Sequence, residues 1–288
     1  MSIAKISAFV IAAIALTTTL LFGSVAALDV IEPWVATTSG ALVGAGASGA
    51  DLTRLVGTLW TGVMLLATCL GVFIPLRLIF RTRLLSILTT TNAFRWRLAT
   101  LGFAVMFAIQ SAALIATIGM DRTYGLVSAN VAGGLVFGLT TLLVYLLAAP
   151  LEEIVFRRWL LLFRTGTALR CLFLSATSAF VFSLAHLSDD WTMATAHFVS
   201  GLAYAWPVVR LRGLEFSMGA HVAKNVSLAY LIGLPGERKW GDEVATAVLA
   251  TMGASVAIAL VAEAIYRRGA STDGIHLRPG VTHPTGTV

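Results

Sequence analysis

VAGGLVFGLTTLLVYLLAAPLEEIVFR, residues 131–157, runs for 21 positions without a charge and then places two carboxylates and an arginine within six residues. An apolar run of about 20 residues is what a helix needs to cross the ~30 Å hydrocarbon core of a bilayer. A carboxylate or guanidinium in that core costs about 2.5–3.5 kcal/mol even on lenient insertion scales, so chains rarely carry one there without a task for it. The stretch therefore implies both a membrane helix and a reason for Glu152, Glu153 and Arg157 to stand at its end.

Working outward, comparable runs fall at Ile6–Leu28, Leu55–Ile79, Leu98–Met120, Val131–Ala149 with a continuation to Phe163, Cys171–Leu187, Trp191–Val209, Leu214–Leu234 and Val244–Tyr266. With 58% of residues apolar and 12% charged, the composition is that of an integral membrane protein. The expected fold is all-α: a polytopic bundle of about eight transmembrane helices forming one domain over residues 1–268. Cys69 and Cys171 lie in or beside spans and read as small apolar core residues. From Gly269 to Val288 periodicity is lost, and a disordered tail is expected, with His276 and His283 as solvated bystanders.

Basic residues set the orientation. Arg77, Arg81, Arg83, Arg95 and Arg97 crowd the second connection, Arg164 and Arg170 the fourth, Arg210 and Arg212 the sixth, and Arg267 and Arg268 close the last span. Odd-numbered connections instead carry Asp29, Glu32 and Asp51, then only Asp121 and Arg122, then Asp189 and Asp190, then the mixed acidic run Glu237–Glu243. Both termini are thus expected in the cytoplasm. The net charge of +6 follows from this alternation, so no nucleic-acid partner is needed. The first apolar run is read as a span, since it exceeds a signal-peptide core and its removal would spoil the alternation.

Three fragments carry the chemistry. In Pro150–Arg158, proline is expected to open a new helical turn, with Glu153 and Arg157 four apart on one face and Glu152 beside them. A glutamate set against apolar walls suits general-base work, whereas a helix ending at Ala149 would leave these residues wet at the interface. Phe182 and His186 share a second helical face, and a neutral imidazole there is a metal ligand or a proton shuttle. His221 and Asn225 share a third, where the amide can orient the imidazole or donate to a developing oxyanion. His197 also falls in a span, without a motif around it, and Lys224 adds a charge with no evident role.

Depth tests whether the fragments can meet. At 1.5 Å per helical residue, Glu152 lies about 18 Å from Arg164, His186 about 24 Å from Arg170 and His221 about 14 Å from Arg212. All three groups can reach one level inside the hydrocarbon core, provided that Arg157 and Arg158 are bonded or solvated below the surface.

Glu-Glu-x-x-x-Arg at Glu152, Glu153 and Arg157, Phe-x-x-x-His at Phe182 and His186, and His-x-x-x-Asn at His221 and Asn225 resemble the signature motifs of the CPBP family of intramembrane proteases. That family includes CAAX prenyl endopeptidases and bacterial proteins linked to bacteriocin processing and self-immunity, and Phe198-x-x-Gly201 fits its pattern as well. The resemblance covers about Pro150 to Asn225 and implies a protease core at about residues 129–235. It implies hydrolysis of a peptide bond in a membrane-borne or lipidated peptide or protein, in a multi-pass protein of a bacterial cell membrane. Glu152 would activate water with help from His186, and His221 with Asn225 would bind the oxyanion. In the metalloprotease description, His186 and His221, with Glu152, would hold a divalent metal, zinc being the expected one. The residues by themselves leave these mechanisms open. Buried Glu, His and Arg also serve transporters, and a non-catalytic immunity or scaffold protein of the same fold is a further alternative.

Overall fold

The computed structural model describes residues 3–44, 49–81, 84–91, 93–120, 131–162, 168–186, 190–231 and 242–272. In hydrocarbon each backbone N–H and C=O must be satisfied within the segment, so apolar runs of this length fold as helices. They are α1 (Ile3–Gly44), α2 (Gly49–Phe80), the short α3 (Leu84–Leu88), α4 (Trp96–Met120), α5 (Val131–Arg157), α6 (Ala168–Ala185), α7 (Trp191–Leu211), α8 (Glu215–Leu231) and α9 (Asp242–Thr272). A 3₁₀ turn, Arg158–Leu162, follows α5 directly.

Five helices contain stretches long and apolar enough to cross a membrane: Ser7–Ser24, Val56–Phe80, Trp96–Thr117, Phe137–Arg157 and Thr246–Arg268. Helices α6, α7 and α8 are shorter or more polar. These three carry two of the motifs, which is the physical reason that hydropathy alone marks them less clearly. Apolar side chains such as Ile11, Phe22, Leu78, Leu143, Phe173 and Leu260 point outward, whereas Gln110, Ser200, Glu215, His221 and Ser255 are buried. That inversion is what a lipid solvent imposes, and the protein is an integral membrane protein.

Helix α8 forms the axis of the bundle, with α4, α5 and α7 packed on it; α9 lies against α4 and α7, α6 pairs with α7, and α1–α2 flanks α5. Small residues let α4 and α8 approach closely. A Cβ at Gly102 would overlap the Phe216 carbonyl, and one at Gly219 the Ala99 carbonyl, as at the small-residue crossings typical of membrane helices. Around that crossing Met106, Phe216, Ala220, Ala223 and Ile258 form a buried core with Tyr204.

Charge pairs lock one end of the bundle. Arg95 donates to both oxygens of the buried Glu215 at 2.9 and 2.7 Å and to the Leu211 carbonyl at 2.7 Å, tying the start of α4 to the α7–α8 turn. Arg210 of α7 grips Glu263 of α9 in the same two-pronged way, at 2.7 and 2.9 Å. Planar guanidinium and carboxylate fix orientation as well as distance, so the register of α8 against α4 and α7 is set near its first turn.

Several expectations need correction. Pro150 does not open a new helix; α5 continues through it to Arg157. The N–H that proline lacks is tolerated because surrounding helices and local adjustment support the freed carbonyl. Helix α1 extends well past Leu28. Helix α9 runs through Thr272, into the stretch expected to be disordered; His276 and His283 lie outside the described residues. Both cysteines are free thiols.

Candidate active site

Continuity of α5 through Pro150 puts Glu152 and Glu153 on the helix that packs against α8. Glu153 and Arg157 are both fully buried, and Arg157 Nη1 donates to Glu153 Oε1 at 2.6 Å. The guanidinium lies 4.5 Å from the centre of the Phe182 ring and 5.5 Å from that of Tyr204, where the ring faces add cation–π attraction. The alternative of wet interfacial charges is thereby removed, and the requirement that Arg157 be bonded below the surface is met. Arg158 behaves differently: it is half-buried and donates to the Ser86 carbonyl beside α3.

His221, buried on α8, joins the two carboxylates. Its Nδ1 lies 2.8 Å from Glu153 Oε1 and its Nε2 3.6 Å from Glu152 Oε2. Because a carboxylate accepts, Nδ1–H donates to Glu153, and the tautomer leaves the Nε2 lone pair facing Glu152. The imidazole is stacked on Tyr204 with ring centres 4.9 Å apart. Glu152 differs from its neighbour: its side chain is 27% exposed, yet its Oε2 is buried without a hydrogen-bond partner among the described residues. One carboxylate is thus spent on holding Arg157 and His221, and the other is left to face whatever enters. Asn225 is half-buried one turn beyond His221.

The second motif arrives from α6. Phe182 is buried and its ring is a hub, touching Phe156, His186, His197 and His221 at centroid separations of 5.2, 4.3, 6.3 and 6.0 Å. His186 stands one residue past the end of α6 and is exposed rather than deep in a span. Its Nδ1–H donates to the Phe182 carbonyl at 2.8 Å, so its Nε2 is unprotonated and free of that bond. Helix α6 closes tightly on α7 because Gly201 lacks a side chain; a Cβ there would lie 2.9 Å from the Ala179 Cα. Asp190 caps α7 by accepting from the Thr192 and Met193 amides.

All six site residues expected from the sequence are therefore contributed by α5, α8 and the end of α6. Glu152, Glu153, Arg157, Phe182 and His221 form one connected group, His186 flanks it at the exposed edge, and Asn225 follows His221 along α8. Sequence reasoning missed Tyr204 and Ser200 and left His197 and Lys224 without a place. His197 packs on His186 with centroids 4.1 Å apart and the rings tilted by 33°, and Lys224 donates to Ser200 at 3.1 Å. The signal was available: His197, Ser200 and Tyr204 recur at helical spacing on one face of α7.

Residues 135–227 match the family model described as Type II CAAX prenyl endopeptidase Rce1-like. Over this segment the chain is similar to that family. All three motifs lie inside the match, and α1–α4 and α9 lie outside it. Rce1-like proteins are a protease family whose description names prenylated substrates. No curated protein and no solved structure matches the chain.

The metal that the motifs imply can be tested against the donors. His221 has Nδ1 on Glu153 and His186 has Nδ1 on a carbonyl, leaving one nitrogen each. Among the described residues no group of three or more His, Cys, Asp and Glu side chains is placed to hold one ion, whereas a catalytic zinc takes three protein ligands. In this arrangement the set does not fit a metal, and no step below is routed through one.

Proposed function

We propose that this Rce1-like chain is an intramembrane endopeptidase that hydrolyses a peptide bond of a membrane-associated or lipidated peptide or protein. The supporting observation is the placement of His221, fixed by Glu153 at 2.8 Å on one nitrogen and facing Glu152 at 3.6 Å with the other. Two acceptors on either side of one point orient a water that donates a hydrogen to each. One of its two lone pairs is then directed at a peptide carbonyl held in front of Glu152.

In the proposed step Glu152 takes a proton from that water as its oxygen bonds to the carbonyl carbon, and the carbonyl becomes a tetrahedral oxyanion. The Asn225 amide supplies a donor for that oxyanion. Glu152 then returns the proton to the leaving amine nitrogen as the C–N bond breaks. Buried Arg157, bonded to Glu153 at 2.6 Å, holds that carboxylate stationary, so that His221 keeps its tautomer throughout.

The proposal includes the bundle of eight membrane helices with cytoplasmic termini, the protease core at residues 129–235 and a place in a bacterial cell membrane. A divalent ion shared by His186, His221 and Glu152 would require His186 to join the other two. The activity is tested with purified protein in lipid vesicles and a farnesylated peptide ending in a CAAX sequence, in water enriched in heavy oxygen. Cleavage that puts one solvent oxygen into the new carboxylate is expected. An intact peptide, with flux of small solutes instead, would point to a transporter.

A further inference from the structure

Glu152, Glu153 and Arg157 sum to one negative charge in a low-dielectric interior, and the motifs supply no second cation. Lys224 does: it is 7% exposed on α8, one turn beyond His221, and it lies around the same Tyr204 ring as Arg157 and His221. Its Nζ donates to Ser200 Oγ at 3.1 Å and lies 5.8 Å from the centre of the Tyr204 ring. Among the described residues the buried site then holds two carboxylates and two cations. A buried charge is tolerated when paired and hydrogen-bonded, and breaking such a set by removing one partner leaves an uncompensated charge.

The anchor of Lys224, Ser200, is itself held from outside the family segment. Ser200 Oγ is 3.1 Å from Ser255 Oγ of α9, and Ser255 donates to the Thr251 carbonyl at 2.9 Å. Thr251 in turn accepts from Gln110 of α4 at 2.8 Å. A polar ladder thus runs from α4 through α9 and α7 to the Lys224 ammonium on α8. Residues 135–227 include its last two members only.

We infer that Lys224 is a positioning residue of the proposed reaction, its ammonium held by Ser200, which Ser255 supports, to balance the charge of the Glu152–Glu153 pair. This rests on the reading of Glu152 as base. Losing the cation leaves the site with net negative charge, against which a developing oxyanion is harder to form; substrate binding away from the reacting carbonyl is untouched. The effect belongs in kcat.

The test compares wild type, Lys224→Gln, Lys224→Arg, Ser255→Ala and Glu152→Gln in vesicles with the farnesylated CAAX peptide, alongside thermal unfolding in detergent. Expected for Lys224→Gln is a fall in kcat of about 10²-fold, the scale of removing one electrostatic stabiliser, with KM within twofold. Lys224→Arg should recover most of that loss, and Ser255→Ala should lower kcat a few-fold. Wild-type kcat in a folded Lys224→Gln would overturn the inference, and so would equal losses in Gln and Arg variants tracking lower unfolding temperatures. If Glu152→Gln is inactive in the same series, only the role of Lys224 has failed. If Glu152→Gln cleaves normally, or wild type does not cleave, the reading of the site has failed and the inference with it.

Discussion

His221 Nδ1 donates to Glu153 Oε1 across 2.8 Å, and the same oxygen accepts from Arg157 at 2.6 Å. One atom therefore links the third motif to both ends of the first. Glu153 is a structural fulcrum, whereas its neighbour Glu152 keeps a buried oxygen without a hydrogen-bond partner among the described residues, although the two are adjacent in sequence and chemically identical.

Removing Glu153 should be felt in stability as well as activity. Glu153→Ala strands the Arg157 guanidinium, fully buried, and breaking a buried pair from one side costs about 3–5 kcal/mol. A marked fall in unfolding temperature in detergent is expected. The double variant Glu153→Ala, Arg157→Met should recover much of it while remaining inactive, because His221 has lost its acceptor.

Gly201 offers a test of geometry without touching any polar group. A methyl group there meets the Ala179 backbone at 2.9 Å, so Gly201→Ala must push α6 away from α7 and move Phe182 with it. Overpacking of this kind costs about 1–3 kcal/mol. Cleavage of the farnesylated peptide should fall at least tenfold, measured as kcat/KM, while the same substitution at Gly253, where a Cβ meets nothing within 4 Å, should leave it unchanged.

Much of this site was legible before the fold was known, and the reasons differ by residue. Glu152, Glu153, Arg157, His221 and Asn225 were found because charges in apolar runs are expensive, and helical spacing paired them correctly. Burial of Arg157 was not legible, since the ring faces that receive it come from Phe182 and Tyr204 on other helices. Pro150 misled because proline starts helices in water more readily than it interrupts them in lipid. His186 was read within a span running to Leu187 because hydropathy does not see that α6 stops at Ala185. Lys224 stayed unexplained because its partner Ser200 lies 24 residues earlier and looks in sequence like any small helix-packing residue.

The donor arrangement also bears on metal dependence. With His221 engaged on Glu153 and no three ligands gathered among the described residues, cleavage is expected to survive prolonged treatment with a strong chelator within about twofold. Metal analysis of the purified protein and of His221→Ala checks the same point. One equivalent in the wild type that is lost in the variant, with activity restored by added zinc, would require His186 and Glu152 to gather around an ion instead.

Glu152→Gln keeps the size and shape of the side chain and removes only its capacity to take a proton, so it isolates the central step. In vesicles, with the farnesylated peptide and a matched unfolding temperature, kcat should fall by about 10³-fold or more, within the 10²–10⁴-fold range of general acid–base catalysis. A folded Glu152→Gln protein that cleaves at a rate near wild type would contradict the assignment of Glu152 as the base.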